Sequence, residues 1–236
     1  MRFYELIRWT HVAAGAAALL GFWLTAALRK GSGLHRRTGQ FYLLAMVVVM
    51  ATAVPIAVRA FLSGQPVRGT FLAYLVVVTL APNWLAWRAI RDQRDIAAFS
   101  GTTYRALAAL SVASGAAVLA AGLYYGVALL IGFSLVGLVS GAAMLRFAAQ
   151  RPDGPRWWLA QHYGAVIGGG TAAHIAFLNL GVARLLPPGW GSKAQAVGFF
   201  APVLIALLVR LWLDRRYGMP RLLARIGKPV SAWSNA

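Results

Sequence analysis

The stretch ALAALSVASGAAVLAAGLYYGVALLIGFSLVGLVSGAAML, Ala106 to Leu145, holds no charged side chain. A bilayer core is crossed by about 20 consecutive apolar residues in a helix. This run is therefore long enough for two spans, and Gly122-Leu-Tyr-Tyr-Gly126 at its middle supplies the break. Five further runs are free of Asp, Glu, Lys and Arg: Thr10–Leu28, Gln40–Val58, Thr70–Trp87, Trp157–Ala183 and Ala194–Val209. Together they predict an all-α, polytopic membrane protein built as a seven-helix bundle. Composition agrees: 60% of the 236 residues are hydrophobic and 12% are charged, against about 25% charged in a soluble domain. There is too little polar surface to cover a water-facing globule. Residues 1–213 read as one transmembrane domain, and 214–236 as a basic tail.

The net charge of +18 comes from 23 Lys and Arg against five Asp and Glu. On a soluble chain such a charge would suggest nucleic acid. Here its distribution follows topology. Seventeen cations fall on one side of the predicted spans, in the loops after helices one, three and five and at the end of helix seven. The other side keeps six: Arg2, Arg8, Arg59, Arg68, Arg184 and Lys193. The positive-inside rule puts the seventeen in the cytoplasm, so the N-terminus is expected outside and the C-terminus inside, in a bacterial inner membrane. The basic rim is suited to anionic lipid headgroups, and nucleic-acid binding has no separate support. The first apolar run is too long for a signal-peptide core and is stopped by a basic loop, so it reads as a retained helix. With no cysteine, disulfides, thiolate metal sites and thiol redox chemistry are excluded.

Short loops predict that helices adjacent in sequence are antiparallel neighbours. The loop Ile90–Arg105, with Asp92 and Asp95 among arginines, reads as a solvated, charge-mixed turn. Beyond Asp214, Leu222, Leu223 and Ile226 at helical spacing suggest a short interfacial helix. Tyr124, Tyr125, Trp157, Trp158 and Trp190 suit the aromatic belts of a membrane protein. Pro55, Pro82 and Pro202 fall inside spans, where each removes one backbone donor. Gly122 with Gly126, Gly137 with Gly141, and Gly164 with Gly168 have the four-residue spacing that brings helices close. The triplet Gly168-Gly169-Gly170 leaves room beside its helix for a partner helix or a flat cofactor.

The four histidines, His11, His35, His162 and His174, are nearly the only titratable groups within or beside the spans. An ionisable group at that depth reads as functional. The expected topology places His11 and His174 toward the outer face and His35 and His162 toward the inner face. Two bis-histidine levels would suit two b-type haems, with His162 and His35 as iron ligands, or quinone binding in transmembrane electron transfer. The twelve residues between His162 and His174 turn them roughly 120° apart on one helix, which argues against both serving one interhelical gap. Each also has a plain structural reading. His35 could hold lipid phosphate beside Arg36 and Arg37, His11 a helix carbonyl, His162 a polar clasp with Gln161, and His174 a packing contact. Carboxylate proton relays are disfavoured, because Glu5, Asp92, Asp95, Asp153 and Asp214 all lie near the predicted interfaces. A retinal Schiff base is excluded by the lack of lysine in helix seven, and four histidines are too few for a membrane di-iron oxygenase.

The motifs Thr10-His11-Val-Ala-Ala-Gly15, Arg29-Lys30-Gly31 and His35-Arg36-Arg37-Thr38-Gly39-Gln40-Phe41-Tyr42 resemble those of a family of uncharacterised bacterial multi-helix membrane proteins. The likeness continues through Phe71-Leu-Ala-Tyr74, Trp158-Leu-Ala-Gln-His162 and Ala176-Phe177-Leu178-Asn179, and so covers most of the chain. It implies a membrane bundle in which His11, His35 and His162 hold motif positions. His174 departs from that pattern, and no activity comes with the resemblance. Three functions follow as expectations: a redox protein binding haem b or quinone; a non-catalytic subunit or scaffold that packs a partner membrane protein or a second copy against its glycine faces; and a small-solute transporter with a broken-helix site at Pro82, Asn83 and the glycine triplet.

Overall fold

The computed structural model describes residues 2–150, 154, 156–182, 187 and 191–219. These form helices α1 (Arg2–Ala27), α2 (Gly33–Leu62), α3 (Pro66–Arg91), a single turn α4 (Ile96–Phe99), α5 (Thr102–Tyr125), α6 (Ala128–Gln150), α7 (Trp157–Ala176) and α8 (Gly191–Arg216). A π-helical turn, Phe177–Gly181, extends α7. No strand occurs among the described residues. Six segments are long and apolar enough to cross a membrane: Arg2–Ala27, Gly33–Leu62, Pro66–Arg91, Ile96–Tyr125 as one run, Ala128–Gln150 and Val197–Arg216. The chain is thus a multi-pass membrane protein. Helix α7, 20 residues long, falls outside this set; it carries Gln161, two histidines and four glycines. Arg151, Asp153, Arg184, Trp190 and the tail with Leu222, Leu223, Ile226, Arg221, Arg225 and Lys228 lie outside the described residues.

Local chemistry sets the turns. Gly31, at φ 78°, reverses the chain after α1, and the Ser32 hydroxyl caps α2 by accepting from the His35 amide at 3.1 Å. Gly126, at φ 66°, closes α5, and the following amide of Val127 reaches the Gly122 carbonyl at 2.9 Å. Only glycine adopts that left-handed conformation readily, so the break expected inside Ala106–Leu145 falls at its second glycine. Inside the spans, Thr79, Ser111 and Thr171 return their hydroxyls to the carbonyl four residues earlier, at 2.6 to 2.8 Å. That satisfies a donor where no water is present.

Helices α1 to α6 pack as successive antiparallel neighbours, and α8 lies antiparallel on α7. The chain breaks this order once. After α6, α7 returns across the bundle to pack on α3, touching α1 on its other side. Helix α3 is therefore central, with α2, α5, α6 and α7 around it. The tightest pair is α5 with α6. A Cβ at Gly137 would lie 2.6 Å from the Ser111 carbonyl, one at Gly141 2.7 Å from the Ala108 carbonyl, and one at Gly115 2.9 Å from the Leu138 amide. These glycines thus serve contacts within the chain. Tyr74, almost fully buried, ties α3 to this pair: its hydroxyl donates to the Phe133 carbonyl at 2.9 Å and accepts from the Gly137 amide at 2.7 Å.

The loop between α3 and α5 is more than a solvated turn. Arg91, Arg94 and Asp95 are exposed, while half-buried Asp92 pairs with Arg88, and Asp95 caps α4 by accepting from the Ala98 amide at 2.8 Å. The turn of helix that follows drives Phe99 and Ser100 to complete burial. Phe99 sits among Trp84, Tyr104, Phe147 and Trp157, its ring centroid 4.9 Å from that of Trp157. Trp157, half-buried, is accordingly also a core contact. The apolar driving force on one phenylalanine outweighs the polar character of its neighbours.

Candidate functional site

Antiparallel packing gathers the described cations of the α1–α2 turn, the α3–α5 loop and the C-terminal end of α8 at one end of the bundle, the basic end. The histidines can be placed against it. His11, on α1, points its Nδ1 at α2, with the Val49 carbonyl at 3.1 Å and the Thr52 hydroxyl oxygen at 2.9 Å. His35 lies in the first turn of α2, and its Nδ1 donates to the Thr25 carbonyl at 3.0 Å. The Lys30 ammonium donates to the same carbonyl at 3.1 Å and to that of Ala26 at 2.6 Å. Both side chains thereby close the C-terminus of α1, where cations complement the helix dipole. Partial burial holds Lys30 below the usual lysine pKa.

His162, on α7, donates Nδ1–H to the Ala86 carbonyl of α3 at 2.8 Å. A carbonyl can only accept, so this bond fixes the tautomer and leaves Nε2 as a lone pair. His162, in the second turn of α7, lies toward the same basic end as His35, in the first turn of α2. His174 differs from the other three. Its Nδ1 donates to the Gly170 carbonyl at 2.7 Å, and its Nε2 accepts from the Trp23 indole at 2.9 Å. Both nitrogens are engaged, and the ring packs edge-on to Phe22 and Trp23 of α1. His11 and His174 are not brought together. Trp23 lies twelve residues along α1 from His11, about 18 Å of helix.

The glycine triplet is filled from within. A Cβ at Gly170 would strike the Phe22 ring, and one at Gly169 would lie 3.1 Å from the Tyr42 hydroxyl, while Gly168 faces open space. Pro82, Asn83 and Gly169 do meet, at a junction of α2, α3 and α7 also lined by Tyr42, Thr79 and Ala86. The buried Asn83 Oδ1 has no hydrogen-bond partner there. The junction is closely packed and encloses no cavity of its own. No cluster of three or more potential metal ligands occurs among the described residues.

A further polar cluster escapes a reading by sequence alone. Asp214, in the last turn of α8, is 3% exposed. It accepts from the Tyr163 hydroxyl of α7 and from Arg210 Nε at 3.0 and 3.2 Å. The Arg210 guanidinium also lies over the Tyr163 ring at 4.7 Å and donates to the Ala160 carbonyl at 3.3 Å. Gly164 makes this possible, because any side chain there would occupy the space of the guanidinium. A carboxylate at the end of its helix is thus also buried against α7, held by an arginine and a tyrosine. The i, i+4 spacing of Arg210 and Asp214 was the available signal. His162 and Tyr163 are adjacent in sequence yet serve opposite neighbours, α3 and α8.

Compared with protein-family models, with curated proteins and with solved structures, the chain finds no match in any of the three.

Proposed function

We propose that this chain is a seven-span protein of the bacterial inner membrane, N-terminus outside and C-terminus cytoplasmic, that binds a lipid-soluble quinone at His162. The observation that carries this reading is the orientation of one ring. His162 is anchored through Nδ1–H to the Ala86 carbonyl at 2.8 Å, which leaves its Nε2 to meet a ligand. His35 and Lys30, bonded to the last carbonyls of α1, lie at the same basic end of the bundle, in a chain with few other titratable groups. The Nε2 lone pair is an acceptor, so it suits the reduced, quinol form of the ligand, whose ring hydroxyl donates. His162 would supply that acceptor, and a bound quinol would supply two-electron, two-proton chemistry.

The test is chemical. Protein purified in mild detergent is extracted with organic solvent and the extract analysed for quinone, alongside oxidised and dithionite-reduced absorption spectra. Quinone retained by the wild type and lost from His162→Ala supports the reading. A Soret band that shifts on reduction would replace quinone by haem. A second reading, a non-catalytic membrane subunit, is favoured by a different observation: three of the four histidines bond to a carbonyl of a neighbouring helix, as interhelical clasps do. A colourless, quinone-free protein that co-purifies with a fixed partner would establish it.

A further inference from the structure

We draw no further inference here: the strongest candidate, the junction of α2, α3 and α7 where the buried Asn83 Oδ1 has no hydrogen-bond partner among the described residues, is closely packed around Tyr42, Pro82 and Gly169, and nothing in the structure shows what would occupy it.

Discussion

At the scale of single residues, the glycines of α5, α6 and α7 separate sharply by what faces them. Gly168 opens on free space, so Gly168→Ala is expected to gain up to about 1 kcal/mol from helix propensity. Gly137→Ala forces a methyl against the Ser111 carbonyl and is expected to cost about 1–3 kcal/mol. Thermal unfolding in detergent should therefore move the two midpoints in opposite directions. The cluster on α8 makes a stronger demand. Asp214→Ala leaves the Arg210 guanidinium buried without its carboxylate, and breaking a buried pair in this way costs about 3–5 kcal/mol. Tyr163→Phe, which keeps the ion pair, should lower the midpoint much less. None of this was legible from position alone. Asp214 stands where an interfacial acid would stand, and its tyrosine partner is 51 residues away. The histidines were legible as a set, but their roles were not: a ring nitrogen is free or taken according to a carbonyl on another helix.

At the scale of elements, the spans could be read almost entirely from uncharged runs, because burial in lipid imposes one composition along the whole length of a helix. Their ends could not. Helix α1 begins at Arg2 and α2 runs from Gly33 to Leu62, each well beyond its uncharged stretch, since Arg, Glu and His continue a helix into the interface without breaking it. The turn α4 was hidden for the opposite reason. Five charged residues between Arg88 and Asp95 mask the fact that one aromatic side chain anchors the loop. Phe99→Ala removes the centre of a ring cluster shared by α3, α5, α6 and α7. It is expected to cost about 3–5 kcal/mol, a loss that thermal unfolding of the purified variant will register. Replacing Asp95 by Ala removes a single cap and should cost about 1 kcal/mol.

At the scale of the whole molecule, the asymmetry of charge gives a prediction about orientation. A green fluorescent reporter fused after Gly218 should fluoresce in the cytoplasm, and alkaline phosphatase fused in the α2–α3 turn at Gly64 should be active outside. The reverse pattern would overturn the assignment made from the positive-inside rule. The return of α7 to the central helix was not legible, because short loops favour neighbours and nothing in the sequence marks the exception. It has a consequence for how the protein is made. Helices α1 to α6 can enter the bilayer as they emerge, each beside the one before. Helix α7 finds hydrogen-bonding partners on α3 and α1, made before it, and on α8, made after it. Its place in the bundle is complete only when both surfaces are present. In the order of synthesis, the helix that carries His162 is therefore the one whose contacts wait on the last helix.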